Sequence, residues 1–240
     1  MSAIALLAFI TSCGDDEPTG PTPTVEFEID KPFAEVDDEI TFTNNTIDGA
    51  TFSWDFGDGE TSTLENPTHE YDEVGEYTVT LTATGTGGIS SVSTETIVVG
   101  GRWVTGFDIL AIEPTDVDGN PWDDDNTPPD FVFLFVRISD GTNSTFSLPE
   151  NSLSLDELPA GINVSGGSIE LTDEDWGIFL LDDDAPLGSF REDEFDAIIG
   201  GTVNPTELGT VDNTTGEGFI LLSNTEETFR FTVNFELRTN

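Results

Sequence analysis

The stretch Thr51-Phe52-Ser53-Trp54-Asp55-Phe56-Gly57-Asp58-Gly59 decides how this chain is read. Phe52, Trp54 and Phe56 alternate with Ser53 and Asp55, the period-2 pattern of a strand with one buried face. Gly57-Asp58-Gly59 then turns the chain. Glycine supplies positive φ, and a short acidic side chain bonds its own backbone. The alternation recurs on both sides of this stretch. Val25, Phe27 and Ile29 share one face; Ile40 and Phe42 share another. In Tyr77-Thr78-Val79-Thr80-Leu81-Thr82-Ala83 the apolar residues point one way and the threonines the other. Ile97 to Val99 close the run. No helical period appears, and short strands with turn signals at this spacing predict a β-sandwich over residues 24–100.

Gly100-Gly101 breaks the pattern, and a second set of strands follows. Trp103 to Glu113 reads as a strand. Phe131 to Ile138 (FVFLFVRI) is apolar on both faces, as a central strand should be. Ser168 to Leu171 and Ile178 to Leu181 come next. In the last strand Phe229, Phe231, Val233, Phe235 and Leu237 alternate with polar residues. No helix longer than a turn or two fits. The expected fold is all-β, with two β-sandwich domains in tandem over 24–100 and 102–240.

Charge narrows the partners. The chain of 240 residues carries 49 Asp plus Glu against 6 Lys plus Arg, a formal charge of −43. Nucleic acid is excluded as a partner, because phosphate binding needs a basic face. A polybasic membrane patch is excluded for the same reason. Disorder does not follow from the acidity, since 18 Phe and 4 Trp supply a core. Part of the charge is a solubilising surface. Part is concentrated. One cluster holds Asp116, Asp118, Asp123, Asp124, Asp125 and Asp130; another holds Asp182, Asp183, Asp184, Glu192, Asp193, Glu194 and Asp196. Both read as loops at strand ends. Packing carboxylates together is costly, and calcium, which takes about 6–8 oxygen ligands, relieves that cost.

The amino terminus reads as an address. Ala3 to Ile10 is apolar but far shorter than the roughly 20 residues needed to span a bilayer. It fits the h-region of a secretory signal over residues 1–12, although Met1 to Ile10 lacks the basic n-region. Ile10-Thr11-Ser12-Cys13 resembles a bacterial lipobox, which implies that Cys13, the only cysteine, is lipidated. That also accounts for an unpaired cysteine in an exported chain. Gly14-Asp15-Asp16-Glu17 resembles the acidic tag of surface lipoproteins in Bacteroidetes-like bacteria. Residues 13–23 then form a Pro- and Thr-rich tether. The resemblance implies a membrane anchor at the outer membrane or cell surface of a Gram-negative cell.

Two further resemblances concern the sandwiches. Trp54-Asp55-Phe56-Gly57-Asp58-Gly59, Asn66-Pro67-Thr68-His69-Glu70-Tyr71 and Gly75-Glu76-Tyr77-Thr78-Val79 occur in order. Together they resemble the polycystic-kidney-disease (PKD) domain, which implies an immunoglobulin-like sandwich acting as a spacer or mediating protein and carbohydrate contacts. Asp55, Asp58 and the single histidine, His69, read as structural, and Trp54 and Tyr77 are placed for the core. The second sandwich resembles a calcium-binding C2 domain. Pro129-Asp130-Phe131 stands for its Asp-Pro-Tyr step, with Asp116 or Asp118 as an earlier ligand. Asp182-x-Asp184 is followed by Asp193 to Asp196 and then Ile199-Gly200. The sequence departs from that pattern where Phe131 directly follows Asp130 and where Leu187 to Glu192 is inserted. The implied metal ligands are Asp116, Asp118, Asp123, Asp130, Asp182, Asp184, Asp193 and Asp196, and the implied cofactor is Ca²⁺.

No G-x-S-x-G elbow, H-E-x-x-H helix or phosphate-cradling loop is present. The expected function is non-enzymatic: a calcium-stabilised binding or adhesion module on a PKD spacer, contacting extracellular protein or polysaccharide. Two alternatives are a calcium-dependent phospholipid binder and an accessory component of a polysaccharide-degrading or surface complex. The sequence leaves the oligomeric state open.

Overall fold

A computed structural model describes residues 19–112, 131–147, 158, 160–163, 169–183, 195–223 and 229–239. Strands β1 (Phe27–Ile29), β2 (Phe33–Ala34), β3 (Ile40–Asn44), β4 (Thr51–Asp55), β5 (Thr61–Ser62), β6 (Thr68–His69), β7 (Gly75–Thr84) and β8 (Ser90–Val99) come first. They form sheets of order β1-β3-β6 and β2-β8-β7-β4-β5. Next are β9 (Gly101–Ala111), β10 (Phe131–Arg137), β11 (Asn143–Ser147), β12 (Ala160–Asn163), β13 (Glu170–Leu171), β14 (Trp176–Asp183) and β15 (Phe195–Val203). A single-turn helix, α1 (Pro205–Leu208), precedes β16 (Thr210–Val211), β17 (Glu217–Ser223) and β18 (Arg230–Arg238). Their sheets run β11-β10-β14-β15 and β12-β9-β18-β17-β16, with β13 also paired to β9. The chain is all-β, as the alternation predicts. It divides into two compact units. One holds residues through Ile29, Thr41–Thr68 and Thr78–Glu95; the other holds Asp30–Ile40, His69–Tyr77 and Thr96–Asn240.

The first unit is organised around Trp54, which is fully buried. Phe27 meets its ring edge-on at 5.1 Å, and Phe42 packs tilted at 5.7 Å. Such pairs add about 0.5–1.5 kcal/mol beyond area burial. The indole Nε1 donates to the Leu64 carbonyl at 2.9 Å, so the buried polar atom is satisfied. After β4 the turn residues behave as their chemistry requires. Asp55 Oδ1 accepts from the Gly57 amide, and Asp58 Oδ1 accepts from the Glu60 amide, each two residues on. Gly57 has φ of +87°, and a Cβ there would lie 2.8 Å from the Thr78 carbonyl oxygen, so only glycine fits. Tyr77, which belongs with His69–Tyr77 to the second unit, differs from expectation. It is half-buried at the open end of β7, and Tyr71 is the buried ring. The two tyrosines stack at 4.2 Å, and the Tyr77 hydroxyl donates to the Glu73 carbonyl.

In the second unit the core lies between two sheets. Phe107 on β9 stacks on Phe133 of β10 at 3.9 Å, and Phe133 meets Phe231 of β18 at 5.7 Å. Ile178, Leu180, Val233 and Phe235 fill the same layer. The apolar run of β10 is central, as expected, with β11 on one side and β14 on the other. Gly100 is a point of close approach: a Cβ there would lie 2.5 Å from the Arg238 amide nitrogen. Strand β9 departs from simple alternation. Its register with β18 shifts twice, pairing Arg230 with Ala111 but Phe231 with Ile109, and Asn234 with Gly106 but Phe235 with Val104. Leu110 and Thr105 are the extra residues of two β-bulges. The bulges let Val104, Phe107 and Ile109 all reach the core despite their uneven spacing.

Arg102 is 3% exposed in this unit. Its Nε and Nη2 grip the two Glu35 carboxylate oxygens at 2.8 and 2.6 Å. Its Nη1 donates to the Pro205 carbonyl, and its guanidinium lies 5.0 Å from the Phe235 ring centre. A planar fork makes all of these contacts at once, which an ammonium cannot. Removing one partner of a buried pair costs about 3–5 kcal/mol. The Glu35 side chain is 27% exposed, which places the cost at the low end of that range. Arg102→Met should therefore lower the unfolding free energy by about 3 kcal/mol in urea titrations followed by tryptophan fluorescence, with Arg102→Lys recovering only part. A loss under about 1 kcal/mol would assign the network to the class of weak surface pairs.

Candidate binding face

The predicted metal ligands fall into two groups. Asp116, Asp118, Asp123, Asp130, Asp184 and Asp193 lie outside the described residues, as does Cys13. Asp182 and Asp196 are described in backbone, and there the structure differs from the sequence reading. They sit within strands β14 and β15, not in a loop, because the antiparallel pairing runs to Asp183 opposite Phe195. Asp182 is register-paired with Asp196 on one side and with Phe131, the residue after Asp130, on the other. The register thus brings these sequence-distant stretches to one sheet end. Among the described residues, no group of three or more His, Cys, Asp or Glu could hold a metal ion.

A different feature stands on the outer face of the sheet that carries β16, β17 and β18. An open groove of about 530 Å³ is lined by Thr105, Thr210, Asp212, Glu217, Phe219 and Glu236, with Asn234 in its floor. Phe219 is 44% exposed, and Leu221, two residues along the same strand, is 47% exposed. Between them Ile220 points inward and is buried. Phe219 is flanked across the ladder by Thr210 on β16 and by Asn234 on β18. The strands therefore set a hydroxyl and an amide on either side of an exposed aromatic ring, at cross-strand spacing of about 5 Å.

The polar members are held in place. Asn234 Nδ2 donates to Asp108 Oδ2 at 2.8 Å, and the Thr232 hydroxyl donates to the same oxygen at 3.1 Å. Thr105, the bulged residue of β9, lies on the groove wall beside the Asn234 register shift. Asp212 opens the turn from β16 to β17. The Thr214 hydroxyl and amide donate to its carboxylate at 2.6 and 2.8 Å. These bonds, the hydroxyl's first, hold its carboxyl below the usual aspartate range, so it is an anion at neutral pH. Gly216, at φ of +75°, closes that turn. Glu236 is neutralised by Arg238 Nη1 at 3.2 Å, and that guanidinium lies 4.9 Å from the Trp103 ring centre.

Sequence reasoning missed Phe219. The signal was present in Gly218-Phe219-Ile220-Leu221-Leu222, an apolar run on both faces of a strand. Such a run predicts burial on both sides. Here the outward half, Phe219 and Leu221, remains exposed.

Comparison with known proteins bears on the first part of the chain. Residues 21–99 match the PKD domain family model. A microbial collagenase of Vibrio alginolyticus is 45% identical over 69 residues, 27% of this chain and 8% of that protein. The pre-pro-metalloprotease PrtV of Vibrio cholerae is 33% identical over 122 residues, 45% of this chain and 13% of that protein. The crystal structure of the PKD1 domain from the Vibrio cholerae metalloprotease PrtV is 36% identical; the match covers 33% of this chain and 98% of that domain, with a TM-score of 0.30. Residues 21–99 are therefore a PKD domain, as the three sequence signatures implied. The chain spans no more than 13% of the length of either curated relative.

Proposed function

We propose that this protein is a non-enzymatic extracellular binding module, in which the sandwich of residues 102–240 captures an extracellular polymer and the PKD domain acts as its spacer. The groove at Phe219 carries the reading. It is an exposed aromatic flanked across the ladder by Thr210 and by Asn234, the latter held by Asp108. The PKD domain supports an extracellular setting, since such domains are non-catalytic and occur in secreted or surface bacterial proteins. Retention of the full chain on immobilised polysaccharides or on gelatin should be measurable by affinity electrophoresis, and Phe219→Ala should weaken it. A chain retained by none of these polymers would defeat the reading.

Calcium is the second part of the proposal. Asp182 and Asp196 hold opposed register positions, and like charges placed opposite each other destabilise a sheet. The acid-rich stretches 116–130 and 182–196 would supply the remaining oxygens, in the manner of a C2-like site. Affinity of about 10⁻⁴–10⁻³ M suits an extracellular module. At a calcium concentration 100 times the dissociation constant, binding adds about 2.7 kcal/mol, or a rise in Tm of about 5–10 °C. Asp182→Asn with Asp196→Asn should raise the calcium-free Tm, by removing repulsion, and abolish the calcium-dependent rise. Equal melting with calcium and with chelator would remove the metal from the proposal.

The third part is the anchor. The lipobox-like Ile10-Thr11-Ser12-Cys13 followed by the tether of residues 13–23 supports lipidation at Cys13 and display at an outer membrane. Mass spectrometry of the mature protein should find an acylated amino-terminal Cys13, and Cys13→Ser should release the chain from the membrane fraction. An unmodified cysteine in membrane-bound protein would refute the anchor.

A further inference from the structure

We infer that the groove at Phe219 takes an uncharged pyranose polysaccharide. The inference rests on the polymer-binding reading above and names the class of polymer. Three observations carry it.

The first is charge. None of the residues lining the groove is a Lys or Arg, and three are acids: Asp212, Glu217 and Glu236. A polyanion such as a uronate or sulfated polymer would enter against these carboxylates and against a chain of −43. The neighbouring cation, Arg238, is already held between Glu236 and the Trp103 face.

The second is the state of the acids. Two of the three are engaged within the protein, Asp212 by Thr214 and Glu236 by Arg238. Each still has lone pairs free to accept from a hydroxyl. An ammonium-bearing polymer or a basic peptide would have to compete at Asp212 and Glu236 with bonds of 2.6–3.2 Å already made, which leaves it Glu217 alone among the three. Hydroxyls of a neutral sugar ask less of the same atoms.

The third is shape. A pyranose offers one apolar C–H face and a rim of hydroxyls, and the groove offers the complement: the Phe219 ring, with Thr210 and Asn234 on either side of it. Asn234 is pre-positioned by Asp108, so little side-chain freedom is lost on binding. Leu221 continues the apolar line about 7 Å further along β17, two residues on, which suits a repeating chain of rings.

Affinity electrophoresis of the full chain tests the inference, using mixed-linkage β-glucan and xylan as neutral polymers, alginate as an anionic one, chitosan as a cationic one and gelatin as a protein. A neutral polysaccharide should retard the chain, with little change between about 0.05 and 0.5 M salt, since no charge pair is formed. Phe219→Ala and Asn234→Ala should each weaken retention by about tenfold or more, and Phe219→Trp should keep it. Asn234 is partly buried, so the Tm of its variant is measured alongside. Phe219 is exposed, and its variant tests the face even where Asn234→Ala fails to fold. Retention by chitosan alone, lost at high salt, would overturn the sugar class while leaving a polymer-binding module. Retention by alginate or by gelatin alone would do the same. Retention by no polymer would remove both readings.

Discussion

The second unit depends on one buried guanidinium. Arg102 joins β9 to Glu35 beside β2, to the carbonyl of Pro205 at the start of α1, and to the Phe235 ring on β18. Desolvating an arginine is expensive, and the cost is recovered only when every donor is matched and the geometry is planar. Here a carboxylate, a carbonyl and an aromatic face surround it. In a chain with 49 acids and 6 bases, burying one of the bases in this way is a strong structural commitment. It fixes the segment around Glu35, the strand β9 and the start of α1 to one another.

Scarcity governs the remaining cations as well. Lys31 pairs with Asp38, Arg137 with Glu174, and Arg238 with Glu236. Three of the arginines also lie over aromatic faces, Arg102 on Phe235, Arg137 on Trp176 and Arg238 on Trp103. Arginine suits this double duty because its guanidinium is weakly hydrated and stacks while it bonds. These described cations are thus paired with acids and rings of the chain itself.

What was legible in the sequence follows the range of the interactions. Trp54 to Gly59 was readable because an Asx turn, a positive-φ glycine and a buried indole are local matters, decided within a few residues. The central place of β10 was readable from its two apolar faces. The course of β9 was not. Its two bulges are set by pairing with β18, more than a hundred residues away, and strict alternation cannot announce them. Asp182 and Asp196 read as loop residues after the apolar run Ile178–Leu181, yet the ladder of β14 with β15 runs on through both, against the low strand preference of aspartate. Phe219 escaped notice for a related reason. The run Phe219 to Leu222 is apolar on both faces and so signals a strand buried on both, and only the finished sheet shows Phe219 and Leu221 exposed.

Acidic residues gather at two places in this unit, the groove and the shared end of β14 and β15. At the groove, Arg238 compensates Glu236, and Thr214 lowers the proton affinity of Asp212 by donating to it. Carboxylates so treated are stable anions with spare acceptor capacity, fit for hydroxyls. At the end of β14 the register sets Asp182 against Asp196 with acids on both sides in sequence, and the nearest base in sequence is Arg191. The acids of the groove, Asp212, Glu217 and Glu236, are scattered in sequence and gathered by the strand pairing, whereas Asp182 to Asp184 form a run. In both places it is the strand register, not composition, that sets one acid opposite another: Glu217 against Glu236, and Asp182 against Asp196.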